Sequence, residues 1–88
     1  MLMSRTEGNM QEESILMIRD YGKIQLHLRE LMDAKQITRY KLARQINSRF
    51  EVIDKWYRGE IEKLDLDVLA RICYVMKCEV GDIVEYTE

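Results

Sequence analysis

The residues best suited to chemistry in this chain are the basic side chains of its middle third. Residues 23–58 carry nine lysines and arginines against four acidic residues, a net charge of +5. Residues 1–22 carry −2 and residues 59–88 carry −5, so the total charge of −2 conceals this division. A basic segment can present one positive face to a polyanion such as nucleic acid, although charged side chains also simply solvate helices.

Other kinds of site lack the residues they need. His27 is the single histidine and has no second histidine or cysteine at ligand spacing nearby, so we expect no metal site. Cys73 and Cys78 lie five residues apart, which is not C-x-x-C spacing, and we expect them to be free, buried thiols. No nucleophile–base pair, glycine-rich phosphate loop or catalytic carboxylate pair can be assembled. We therefore expect neither an enzyme nor a cofactor.

Length and composition further limit the possible classes of protein. The chain has 88 residues, enough for one hydrophobic core but not for two. Hydrophobic residues make up 47% and charged residues 34%, as in globular proteins. We see neither a secretory signal nor an apolar run of the roughly 20 residues that cross a bilayer. These features predict a cytoplasmic protein with no membrane partner.

Three segments are predicted along the chain. Residues 1–13 are polar and aperiodic and are expected to form a flexible N-terminal tail. Residues 14–22 form a short apolar extension, with a strand favoured over helix at 14–19 and a turn at 20–22. Residues 23–88 are expected to form the folded domain.

Hydrophobic periodicity predicts four helices in this domain, at roughly 24–35, 39–46, 49–58 and 66–77. Thr38 and Asp65 are expected N-caps, and Gly59 is expected to end the third helix. The end of the chain is predicted to form a short helical turn and then an extended piece. The residues predicted to point inward are Ile24, Leu28, Leu31 and Met32; Leu42, Ala43 and Ile46; Val52, Ile53, Trp56 and Tyr57; and Leu66, Leu69, Ala70, Cys73 and Met76.

The second and third predicted helices are joined by only Asn47 and Ser48. Two short helices with so brief a link must cross steeply, as in a helix-turn-helix. Ala43 is small enough to let the two backbones approach, and Asn47 is a plausible residue for the positive φ that the turn requires. Ser48 and Glu51 fit the S-x-x-E capping box, which would start the third helix.

The segment TRYKLARQINSRFEVIDKWYRGE resembles the Xre / Cro–lambda-repressor family of helix-turn-helix domains, and LDLDVLARICYVMKCEVGDIVEY resembles a small bacterial branch of it. The resemblance implies an all-α fold: a compact four- to five-helix lambda-repressor-like domain with a helix-turn-helix, which allows short terminal β-strands. The positions that match the family's spacing are Thr38, Leu42, Ala43, Arg44, Ile53, Arg58 and Gly59.

The resemblance also implies a function, since family members place the third helix in the major groove of duplex DNA. It implies that residues 49–58 form the recognition helix of a sequence-specific transcriptional regulator. The implied base-edge contacts are Phe50, Glu51 and Lys55. The implied phosphate contacts are Arg39, Arg49 and Arg58. Val52 and Asp54 face the same side, and Lys41 and Arg44 on the second helix complete the predicted site.

The sequence departs from the family at several positions. Asn47 and Ser48 replace the turn glycine and the apolar turn residue, and Lys41 replaces an acidic residue. The prospective reading residues of the third helix carry a net charge of only +1. Together with Phe50, this near-neutral face keeps an alternative open: an antitoxin-like or phage-derived module that retains the fold but binds protein.

Partners follow from the size of the domain. One small module covers a single half-site, and members of the family that it resembles commonly pair, so the resemblance implies a homodimer on double-stranded DNA. The apolar runs Ser14–Ile18 and Ile83–Tyr86 are the expected pairing elements, either with each other or across to a second subunit. The chain has no room for a separate effector domain, so we expect no small-molecule effector.

Overall fold

The structure, a computed structural model, describes residues 20–88. The predicted tail over residues 1–13 and the predicted strand at 14–19 lie outside this part of the chain. The described elements confirm the expected four-helix domain with short terminal strands. In chain order they are β1 (Lys23–Leu26), α1 (Leu28–Lys35), α2 (Arg39–Gln45), α3 (Phe50–Arg58), α4 (Leu66–Met76), a 3-10 turn (Val80–Asp82) and β2 (Val84–Thr87).

The predicted first helix at 24–35 was wrong in its first turn. Residues 23–26 form β1, and the helix begins only at Leu28. Ile24, predicted to point inward, is 59% exposed, whereas Leu28 and Met32 are fully buried. The spacing of apolar residues fits a helix here, but β2 needs a hydrogen-bonded neighbour, and that non-local pairing decides the local structure.

Strands β1 and β2 form a two-stranded antiparallel sheet that joins the two ends of the described chain. Lys23 lies opposite Thr87, and Leu26 lies opposite Val84. The expected extended piece at the end of the chain is confirmed, but its described partner is β1. The imidazole of His27 supports the pairing, because its Nε2 lies 2.6 Å from Oε1 of Glu85.

The core lies between the four helices and the start of β2. The expected inward positions of α2 and α3 are confirmed, and Trp56 is a core residue. The expected face of α4 was partly wrong: Leu66 is 72% exposed, Ala70 is also exposed, and Ile72, which was not expected inside, is fully buried. The buried residues are Leu28, Met32, Leu42, Ala43, Ile46, Ile53, Trp56, Leu69, Ile72, Met76 and Ile83.

Two overlapping apolar stripes explain the difference on α4. One stripe runs through residues 66, 70 and 73, and the other through 69, 72 and 76. Both have helical spacing, so the sequence alone does not choose between them, and packing against α2 does. None of the helices in residues 20–88 is long and apolar enough to cross a membrane.

The turn between α2 and α3 closes through backbone hydrogen bonds. Asn47 has a φ of 58°, as predicted for this turn. Its N–H donates to the carbonyl of Arg44, and the N–H of Ser48 donates to the carbonyl of Ala43 at 2.8 Å. This pair of bonds is the Schellman arrangement, which satisfies the last carbonyls of α2 and turns the chain sharply.

The predicted capping box at Ser48 and Glu51 was wrong. Helix α3 has Arg49 as its N-cap and receives no side-chain cap. The physical reason lies in the turn, because the Ser48 N–H that would donate to the Glu51 carboxylate already donates to the carbonyl of Ala43. The expected caps elsewhere are confirmed: Thr38 accepts from the N–H of Lys41, and Asp65 accepts from two N–H groups at the start of α4.

The left-handed conformation of Asn47 gives a direct test of the turn. Asn47→Gly should leave stability unchanged or raise it by up to about 1 kcal/mol, because glycine adopts positive φ without a Cβ clash. Asn47→Ala should lower stability by about 1 kcal/mol, since alanine is strained there. Urea unfolding of both variants measures the difference. Equal stability of the two variants would show that the turn does not constrain this residue.

Candidate nucleic-acid interface

Helix α3 is held to the core along one side. Ile53 and Trp56 are buried, and Val52 and Tyr57 pack half-buried against them. Within residues 20–88 the opposite side of the helix lies open to solvent. This open side and the N-cap carry Arg49, Glu51, Lys55 and Arg58, all exposed. The resemblance predicts that this helix enters the major groove. We call its solvent-exposed side, with the four residues just named, the outer flank of α3.

The N-terminus of α2 packs beside the first turn of α3 through an aromatic pair. The rings of Tyr40 and Phe50 stack with their centroids 4.4 Å apart. Phe50 is half-buried by this contact, whereas Tyr40 remains 68% exposed. The pair joins the predicted phosphate-contacting end of α2 to the predicted base-contacting end of α3 in one surface.

Asp54 holds two of the predicted phosphate contacts. One carboxylate oxygen accepts from Nη1 of Arg39 at 2.6 Å, and the other accepts from Nε of Arg58 at 3.0 Å. The Asp54 side chain is 22% exposed, so its oxygens are largely enclosed by these arginines. A carboxylate between two guanidinium groups fixes their positions through charge-assisted hydrogen bonds. Asp54 is thereby occupied within the chain.

Aromatic rings hold the guanidinium group of Arg39 from other sides. It lies 4.7 Å from the ring centroid of Tyr57 and 5.7 Å from that of Phe50, within the range of cation–π attraction. The hydroxyl of Tyr57 donates to Asp33 on α1 at 2.8 Å. Arg39 is therefore a positioned cation between α2 and α3, and not a freely rotating one.

The remaining predicted residues stand around this cluster. Lys41 and Arg44 line, with Tyr40, a shallow groove of about 590 Å³ along the outside of α2. Arg49, Glu51 and Lys55 are exposed and make no side-chain hydrogen bond or ion pair with the described residues. Glu51 stays exposed because the capping box is not formed.

The charges of this surface favour an anionic partner. The nine predicted residues comprise six basic side chains, two acidic side chains and Phe50. Since Asp54 is already paired with two arginines, Glu51 is the acidic side chain of the set that remains free to meet a ligand. An exposed surface with this balance attracts a polyanion.

Two contributors were missed by the sequence analysis. Tyr40 was not among the predicted contacts, and Tyr57 was expected only in the core. Tyr40 follows the predicted phosphate contact Arg39 directly and is one turn from Arg44, which is the signal that could have placed it on this face. The role of Tyr57 depends on Asp33 of another helix and has no local signal.

The cysteines and the possible metal-ligating side chains are less suited to form a functional site. Cys73 and Cys78 are free and half-buried rather than fully buried. Burial, followed by the neighbouring Cys73 thiol, raises the pKa of Cys78 to about 11, so this thiol stays protonated and unreactive near neutral pH. In residues 20–88, no group of three or more histidine, cysteine or acidic side chains is arranged to hold a metal ion.

The link between Arg39 and Asp54 can be measured by a double-mutant cycle. Arg39→Ala, Asp54→Ala and the double variant should give a coupling of about 1 kcal/mol at low salt, at the upper end for partly exposed pairs. The exposed pair Arg71 and Asp67, at 2.9 Å on α4, is the control and should give about 0.3–0.5 kcal/mol. Urea unfolding supplies the four stabilities. A coupling no larger than the control would contradict the positioning of Arg39 by Asp54.

This domain is similar to known proteins in sequence and in fold. The Cro/C1-type HTH DNA-binding domain family matches residues 27–88, which includes all four helices and β2. A search of the curated proteins finds no match.

Two solved structures share the fold. One is a protein from Bacteroides fragilis described provisionally as DNA-binding, with a TM-score of 0.64 and 17% identity, over 72% of this chain and 100% of that one. The other is the transcriptional regulator VanUg, with a TM-score of 0.59 and 22% identity, over 78% of this chain and 95% of that one. The family match supports DNA binding, and the two neighbours support the fold. The chain belongs to the Cro/C1-type HTH DNA-binding domain family.

Proposed function

We propose that this protein is a transcriptional regulator of the Xre/Cro type that binds specific double-stranded DNA with α3 in the major groove. The observation that carries the proposal is the outer flank of α3, which lies open beside a cation-rich α2. An α-helix fits the major groove, and basic side chains on both sides of it can reach the phosphates.

Positioning on the duplex is assigned to the arginines. Nη1 of Arg39 donates to Asp54. A guanidinium group has five N–H donors, so others remain available to bind a phosphate. Arg58 is held by the same carboxylate, and Arg49 sits at the start of α3. Lys41 and Arg44 extend the contact along the outside of α2. In this proposal Asp54 orients phosphate contacts and does not read a base.

Sequence reading is assigned to the first turns of α3. Lys55 can donate to guanine O6 or N7, and Glu51 can accept from a cytosine N4 amine. Phe50 offers an apolar edge to a thymine methyl, with its ring orientation limited by the stack with Tyr40. Tyr40 joins the proposed site as a neighbour of the phosphate contacts, because it is exposed beside them.

A single domain of this size reads one half-site, so we propose that the protein acts as a homodimer. Two α3 helices would then lie about one duplex turn, roughly 34 Å, apart. No cofactor or small-molecule effector enters the proposal. A regulator of this kind works where the DNA is, which we take to be the cytoplasm.

A second candidate function is a protein-binding module that keeps the fold. The observation that favours it is the exposed aromatic stack of Tyr40 and Phe50, beside a reading helix of low net charge. Selection from a random duplex library separates the two candidates. Enrichment of one sequence motif supports the regulator. Retention without a motif contradicts sequence-specific reading, and no retention contradicts DNA binding and leaves the protein-binding module.

The role of Arg39 predicts a uniform loss of affinity. Arg39→Ala should weaken binding to the selected site and to unrelated duplexes by a similar factor, because a phosphate contact carries no sequence information. The slope of log K against log salt should flatten by about 0.9. Fluorescence anisotropy over a salt series measures both. The control Lys23→Ala removes a positive charge from β1 and should leave the slope unchanged; an unchanged slope in Arg39→Ala would refute its phosphate role.

The role of Lys55 predicts a loss of specificity at one position. Lys55→Ala should reduce discrimination at one base pair by about 1–3 kcal/mol while the other positions keep their preference. Binding to a panel of single-substitution duplexes gives the profile. A uniform weakening across the panel, like that of Arg39→Ala, would assign Lys55 to the phosphates instead.

A further inference from the structure

One face of the two-stranded sheet is apolar and partly exposed. Residues that lie opposite each other in an antiparallel pair share a face, as do residues two apart on one strand. Ile24 and Tyr86 therefore lie on the same face as Leu26 and Val84. Ile24 is 59% exposed and Tyr86 is 55% exposed, whereas Leu26 and Val84 are half-buried. This face thus keeps apolar side chains in water that the core does not cover.

A groove of about 520 Å³ lies beside this face. Ile24, Leu26 and Val84 line it from the sheet, and the connection between α3 and α4 lines it from the other side. The connection contributes Ile61, which is half-buried, and Leu64, which is 39% exposed. A contiguous apolar surface with a polar rim is typical of a contact between proteins.

The rim of the groove carries both signs of charge side by side. Glu62 and Lys63 are consecutive, exposed residues of the connection, and both line the groove. Within residues 20–88 neither side chain forms an ion pair. In a two-fold dimer the same surface meets itself, so each contact occurs twice. A two-fold axis beside these residues brings Glu62 of each copy to Lys63 of the other, which makes the rim complementary to itself.

The position of the groove suits a paired regulator. Its lining includes Gly59, the residue that ends α3, so a second copy seated there lies beside the C-terminal end of that helix. None of the four residues of the outer flank of α3 lines the groove. Pairing through the groove therefore leaves the residues assigned to DNA uncovered.

We propose that this groove is the homodimer interface, and that its occupant is the same surface of a second copy of the chain. The inference rests on the proposed function, in which two copies read two half-sites. Ile24 and Leu64 of both copies form the apolar centre of the contact, and Glu62 pairs with Lys63 of the second copy at its rim.

Sedimentation velocity of the full chain without DNA tests the interface. The unaltered chain should sediment as a dimer. Leu64→Glu places one carboxylate from each copy in the apolar centre and should raise the Kd of the dimer by at least about 100-fold. The matched control Leu66→Glu makes the same change at a side chain that is 72% exposed and outside the groove, and should leave the Kd unchanged. A monomeric unaltered chain, or a dimer that survives Leu64→Glu, would overturn the interface.

A charge exchange at the rim tests the pairing without a change to the apolar centre. Glu62→Lys and Lys63→Glu should each raise the Kd of the dimer by about tenfold at low salt, because each variant places like charges together on both sides of the axis. The double variant Glu62→Lys/Lys63→Glu should recover the original Kd. A double variant that dimerises no better than the single variants would contradict the two-fold pairing.

Binding to duplexes separates this interface from the proposed function. Leu64→Glu should still bind a single half-site like the unaltered chain, and should lose the tighter binding to two half-sites, because that binding needs the dimer. Equally tight binding of two half-sites by Leu64→Glu would count against the groove as the interface. Absence of duplex binding by the unaltered chain would overturn the proposed function alone, since sedimentation decides the interface without DNA.

Discussion

The hydrogen bond from the Ser48 N–H to the carbonyl of Ala43 is the interaction on which the arrangement of this domain depends. It exists only because Asn47 adopts a left-handed conformation, and it ends α2 while directing the chain into α3. That direction lets Ile53 and Trp56 enter the core and leaves the opposite flank of α3 outside. The surface assigned to DNA follows from this turn.

The same bond has a consequence for the chemistry of the surface. It occupies the donor that a capping box would use, so Glu51 remains a free carboxylate at the start of α3. One turn further along α3, the Asp54 carboxylate accepts hydrogen bonds from Arg39 and Arg58 and joins them in one network. The exposed face of α3 is nearly neutral, but two arginines in fixed orientations, Arg39 and Arg58, lie at its edge. The stack of Tyr40 and Phe50 ties that border to α2.

Local signals were sufficient for the helix-turn-helix itself. The positive φ of Asn47, the caps Thr38 and Asp65, and the buried Trp56 follow from residue type and spacing. What the sequence did not reveal depends on distant partners. Residues 23–26 form a strand and not a helix because β2 pairs with them. On α4, Ile72 is buried and Leu66 is exposed because packing selects one of two equivalent apolar stripes. The restraint of Arg39 needs an aspartate fifteen residues away and rings from α3.

The proposal that α3 reads the major groove is tested most directly by backbone NMR of the full chain titrated with its selected duplex. The account predicts that the largest shift changes fall on the N-terminus of α2 and the outer flank of α3, at Arg39, Tyr40, Phe50 and Lys55. Shift changes concentrated on the sheet or on α4, with α3 unaffected, would contradict it.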